Sequence, residues 1–193
     1  KRGGFSMLEF LIYLAIVGVA IAGIYVAYSK SQNNTNAKTM ATDLQAISSG
    51  VKSSFAQDDN QFTDVGNETV CKLGILTSSL NYKKDCTGLT ATTGVKNKFN
   101  GDVIVTGNTT TSSAFTITEK NVPNAVVTNV MNQMGVDGTI AIAVNSKCVY
   151  SSGAEGSAEA ADCIQGTPQA YSATTLTTAL DSGSTSGSSD VTI

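Results

Sequence analysis

The chain has 193 residues, a net charge of −3, only 14% charged residues and no histidine. The missing histidine removes the usual general base of a hydrolytic triad and the commonest metal ligand, and the negative balance gives no global basic field for nucleic acid. No P-loop is present, and Gly107-Asn108 reads as a turn rather than a phosphate cradle, so the chain is not expected to be an enzyme or to carry a cofactor or metal.

The first residues are Lys1, Arg2, Gly3 and Gly4; the chain then turns apolar through Phe5, Met7, Leu8, Phe10 and Leu11, with one acid, Glu9, inside the run. Residues 10–28 hold no charge and no proline, which predicts an apolar helix of roughly 28 Å, enough to span the hydrocarbon of a bilayer. A plain signal anchor explains the span and places Lys1 and Arg2 on the cytoplasmic side. It leaves Gly3-Gly4 and the position of Glu9 without a reason. A cleaved signal peptide fits less well, because its cut follows the apolar run.

Gly4-Phe5-Ser6-Met7-Leu8-Glu9, followed by the apolar run, resembles the N-terminus of the type IV pilins and their pseudopilin relatives. The resemblance implies cleavage by a prepilin peptidase between Gly4 and Phe5, N-methylation of Phe5, and an assembly role for Phe5 and Glu9. It divides the chain into a leader remnant (1–4), a stem that lies first in the membrane and then in a filament core (5–28), and one head (29–193) that includes the second half of a long helix. The implied partners are other copies of the chain in a helical homopolymer, the peptidase, an inner-membrane assembly platform, and the membrane before assembly. The implied location is the inner membrane and then an extracellular pilus, or fimbrium, of a bacterium. Gly18 and Gly23 leave two readings open: close packing of helices through small residues, or local unwinding as subunits pass from membrane to filament.

Beyond Tyr28 the chain is polar until apolar residues return at Ala37, Met40, Ala41, Leu44, Ile47, Val51 and Phe55. Steps of three and four predict one buried helical face, so one helix is expected over residues 6–56, ended by Asp58-Asp59-Asn60. Leu73, Leu76 and Leu80 suggest a short helix within 70–80 despite Gly74. Residues 88–100 read as a Thr- and Lys-rich loop. Lys83, Lys84, Lys96 and Lys98 are the one basic concentration in the head, a solvated surface on the ordinary reading and a site for an anionic partner such as DNA on the other.

From Gly101 the period changes to two. Residues 102–106 and 114–118 are β-branched runs joined by a turn, which predicts a hairpin. A helix is expected from near Asn121 with Pro123 in its first turn, Val127, Val130, Met131 and Met134 on one face, and Gly135 closing it. Strands are expected over 139–145 and 148–151 around a tight Asn145-Ser146 turn, then an acidic loop over 153–162. Residues 172–193 are dominated by Ser, Thr, Gly and Ala, a composition open to disorder over most of its length, within which a short helix over 173–180 and an edge strand over 190–193 are the elements to expect. The sequons at Asn33, Asn67 and Asn108 are expected by chance in so Asn- and Thr-rich a sequence.

Cys71, Cys86, Cys148 and Cys163 are even in number, follow the apolar run and form no C-x-x-C pair. Oxidised disulfides in an exported domain are therefore expected. Three connectivities are open; the local pairs, Cys71 with Cys86 and Cys148 with Cys163, are favoured because they join neighbouring segments. A C-terminal disulfide resembles the staple of the last loop in pilins.

The order of strand pair, Val-Pro helix, strands and cysteine loop resembles type IVb pilin heads, although Ala125-Val126 stand where such heads often carry a cysteine. The fold class is α+β: a long N-terminal helix packed on a mainly antiparallel sheet with short helices and a disulfide-stapled C-terminal loop. The resemblance implies a structural subunit, a major pilin serving adhesion, conjugation or DNA uptake, with residues 88–100 and 153–190 carrying partner specificity. The alternatives are a minor pilin or secretion-system pseudopilin and, from another class, a membrane-anchored sensor or binding module that never polymerises.

Overall fold

The structure, a computed structural model, describes residues 7–56, 61–81, 85–108, 114–134, 139, 141–153, 163, 168–183 and 187–193. Helix α1 (Met7–Ser54) runs unbroken for 48 residues, about 72 Å. Its second half buries the expected stripe of Ala37, Met40, Ala41, Leu44, Ile47 and Val51, joined by Asp43. Phe55 is only half-buried and packs near Phe62 with the rings tilted by 58° and their centroids 6.1 Å apart. The expected stop at 58–60 lies outside the described residues.

Helix α2 (Asn67–Lys72) starts earlier and is shorter than the expected 70–80 helix. Gly74 has φ +69°, a left-handed backbone that ends the turn and leaves Leu76 and Leu80 to enter the core from a loop. Within the expected 88–100 loop, β1 (Val95–Lys96) pairs with β2 (Asp102–Gly107). The hairpin from β2 to β3 (Phe115–Pro123) is present, with Val105 opposite Ile117. Strand β3 continues five residues beyond the expected 118, so Pro123 ends a strand rather than opening a helix. The register shifts between Glu119 and Val122, and Asn121 at φ 59° forms the bulge. Helix α3 (Asn124–Met134) follows and packs on α1 with Val126, Val127, Val130 and Met131 buried. The expected cap at Gly135 lies outside the described residues.

Strands β4 (Ala141–Val144) and β5 (Lys147–Ser151) form the second hairpin. Asn145 and Ser146 both have positive φ, 51° and 64°, the backbone of a tight type I′ turn. Helix α4 (Ala173–Gly183) packs on β4 and β5. Strand β6 (Ser188–Thr192) is no edge strand: it lies between β3 and β4 in the order β1-β2-β3-β6-β4-β5, antiparallel to both. The sheet therefore closes around the C-terminal residues of the chain.

Most of the core is one cluster that joins α1, α3, α4 and the sheet. A smaller one lies behind β4, where Ala141 and Ala143 face Cys163 and Cys148 while Ile142 and Val144 face the main core. Alternation along the strand puts small residues against the disulfide and branched ones against the helices.

Candidate functional site

Among the described residues, the N-terminal half of α1 lies outside the core of the head. From Met7 to Tyr28 every side chain is exposed, including Val19 at 75% and Ile24 at 70%. Apolar side chains all round a helix require an apolar environment, because each one left in water forgoes about 1.5–3 kcal/mol of burial. This segment is long and apolar enough to cross a membrane. Tyr25 and Tyr28 stand at its far end just before Lys30, amphipathic and basic side chains of the kind that settle at an interface.

Glu9 lies in the first described turn of α1, exposed on the stem. Its carboxylate meets the positive end of the helix macrodipole there. Gly4 and Phe5, the expected processing residues, lie outside the described residues. Among the described residues, Glu9 belongs to the exposed stem, whereas the four cysteines belong to the head.

What the structure adds is the seat that fixes the stem to the head. Along 31–53 the hydroxyls of Thr35, Thr39, Thr42, Ser49 and Ser53 donate to carbonyls three or four residues back on their own helix. That face is polar and internally bonded, while the opposite stripe is core. Gly50 admits Ile75: a Cβ there would stand 2.4 Å from Ile75 Cγ2. A helix-interior glycine costs about 1 kcal/mol of helix propensity, and here it allows the close approach of a side chain from a segment 25 residues further on.

The disulfides join Cys71 to Cys86 and Cys148 to Cys163. The first ties α2 to the segment leading into β1. The second holds Cys163 against β4 and β5, and the backbone of Gln169 exchanges hydrogen bonds with Ser151 at 2.8 and 3.0 Å. Of the four lysines of the basic concentration, the two that are described are engaged with side chains: Lys96 pairs with Asp102 at 2.9 Å, and Lys98 donates to Thr39 Oγ1 at 3.3 Å. Among the described residues no group of acids, cysteines and histidines suits a metal ion.

Two family models match the chain. The prokaryotic N-terminal methylation motif covers residues 1–25, and the family described as PilS N terminal covers residues 28–180. Comparison with curated proteins gives no match. The first match lies on the exposed stem, and the second begins at Tyr28 and takes in the seated half of α1, which is buried from Ala37 onward. With an exposed apolar stem, a methylation motif over it and an α+β head matched along most of its length, the chain belongs to the PilS N-terminal family and is a type IV pilin.

Proposed function

We propose that this pilin is a major subunit of the type IVb kind, held in the inner membrane by residues 5–28 and then polymerised into an extracellular filament. The observation that carries the reading is the continuous α1, exposed and apolar in one half and locked into the head in the other. Such a stem leaves the bilayer only when other stems replace the lipid, and helical packing of many stems meets that condition. The heads then form the outer shell. The role is structural, with adhesion, conjugation or DNA uptake as the filament's task.

Cleavage after Gly4 frees an α-amine at Phe5, four residues from Glu9 and about 6 Å along a helix. Within a filament core that excludes water, this cation is the natural counter-charge for the Glu9 carboxylate, and stagger between stems favours a neighbour's terminus. The assembly test is to express the chain with its peptidase and assembly platform and to image sheared filaments by cryo-microscopy. Abundant filaments of this subunit support the major-pilin reading, and trace amounts within a filament of another subunit make it a minor pilin. Mass spectrometry should give a methylated N-terminus at Phe5, and recovery of Lys1 in filaments overturns the processing step. Glu9→Gln should leave membrane levels of the chain unchanged while filaments fall sharply.

A further inference from the structure

The assembly reading leaves unused a buried polar cluster where α1 crosses the sheet. Glu119 stands on β3 opposite Val103 of β2 and Val191 of β6, and is 1% exposed. Its Oε2 accepts from Asn97 Nδ2 at 3.3 Å, while Oε1 has no hydrogen-bond partner. Asp43 of α1, also buried, accepts at Oδ1 from Thr77 Oγ1 at 2.7 Å and Ser79 Oγ at 2.5 Å. Both carboxyls line one cavity of about 10 Å³, the space of a single water. The remaining charged group on that cavity is Lys98, turned to Thr39. Lys96 and Asp102 pair with each other one residue away from Val95 and Val103, and so on the opposite face of the sheet.

Two carboxylates on one cavity repel each other, and burial adds the cost of desolvating each charge. Asp43 already accepts two hydroxyl hydrogen bonds, whereas Glu119 Oε1 accepts none, so a proton belongs on Glu119, where it faces Asp43 across the cavity. We propose that Glu119 and Asp43 form a one-proton store at the seam between α1 and the sheet, through which the seating of α1 responds to pH. Holding the proton, the pair tolerates the closed seam; without it, two like charges sit on opposite sides of the contact that fixes stem to head. Burial pushes the Glu119 carboxyl up to about 7, with the Asn97 hydrogen bond opposing and the Asp43 charge adding to the rise.

The sign follows from the proton count. In the unfolded chain Glu119 returns to its ordinary value of 4.5, so between that value and about 7 the folded head keeps a proton that the unfolded chain has released. The contribution to stability is complete below 4.5, falls as pH rises through this window and is level above it. Unfolding of the full chain in detergent micelles, compared with Glu119→Gln, reads this directly. The ratio of the wild-type to the Glu119→Gln unfolding constant should grow on the order of 100-fold between about pH 5 and about pH 8. Asp43→Asn, which removes the neighbouring charge, should end its decline at a lower pH than wild type.

A wild-type to Glu119→Gln ratio that stays constant with pH overturns the proposal. So does a stabilisation by Ca²⁺ near pH 8 that disappears in Glu119→Gln, because it would make the cavity a cation site. Infrared spectroscopy of the wild-type chain needs no variant. A carboxylic C=O band should be present near pH 5.5 and be lost by about pH 8.5, and the absence of any such loss overturns the proposal equally.

Discussion

Asn67 and Asn97, both buried, join backbone groups that no strand reaches. Asn67 Nδ2 donates to the Thr90 carbonyl at 2.7 Å, and its Oδ1 accepts from Val105 N–H at 2.7 Å, on the side of β2 that two-residue β1 is too short to cover. Asn97 Oδ1 accepts from the N–H groups of Phe99 and Gly101, and its Nδ2 donates to Glu119 and to the Lys120 carbonyl. Asparagine is suited to this because one amide offers two donors and an acceptor with two lone pairs. Asn67→Ala would strand the buried Val105 N–H and take a donor from the Thr90 carbonyl, and should destabilise the head by about 2 kcal/mol, checked by urea unfolding of the chain in detergent. The burial of Asn67 also makes its sequon inaccessible in the folded head, so no glycan is expected there in mature protein. Gly101 is constrained by close approach, since a Cβ would stand 1.8 Å from the Lys120 carbonyl oxygen; Gly101→Ala should therefore shift the urea midpoint downward by more than an exposed Gly→Ala change does.

At the scale of elements, the two halves of α1 should answer mutation differently, because the same helix buries one and exposes the other. Ile47 is 0% exposed and Ile16 is 62% exposed. Ile47→Ala leaves a cavity under the helix and should cost about 2–5 kcal/mol, whereas Ile16→Ala should leave head stability unchanged and act only on membrane or filament packing. Parallel unfolding and filament-yield measurements separate the two, and equal loss of head stability would refute the division. The Cys148–Cys163 bridge closes a separation of 15 residues, so replacing both cysteines with serine should cost about 3 kcal/mol in the loop-entropy picture. Because Ala141 and Ala143 pack small side chains against that bridge, hydrogen exchange should rise first in β4 and β5 and leave the α1–α3 contact protected.

For the whole molecule, the decisive element is β6. It pairs with β3 through Thr118 and Thr192 and with β4 through Val144 and Val191, and the Ile117 and Ile193 backbones exchange hydrogen bonds at 2.8 and 2.9 Å. Asn145 of the hairpin turn reinforces the join, donating to Ser189 Oγ and accepting from Asp190 N–H. A chain ending before Ser188 would leave β3 and β4 with open edges on both sides of the gap. It should lose cooperative unfolding and protease resistance altogether, and a truncated head that unfolds like the full one would refute the interior placement of β6. Much of this architecture was legible beforehand because it is local. The three-and-four spacing of Ala37 to Val51 marked the buried face of α1, the β-branched runs marked the first hairpin, Asn145-Ser146 marked the second turn, and the apolar run with Glu9 inside marked the stem. Other features depend on partners far along the chain. Nothing in residues 188–192 announces an interior strand, because its neighbours lie some 70 residues away in β3 and some 50 away in β4. Asn121 and Pro123 suit a helix start until β6 is present to pair with that part of β3, and Asp43 and Glu119 are ordinary polar positions until α1 crosses the sheet. The sequence by itself determined periodicity, turn chemistry and the need of the stem for an apolar environment, since each is set by a residue and its near neighbours. Only the tertiary structure decided strand order, the bulge and the buried carboxyl pair, because these follow from which distant surfaces meet.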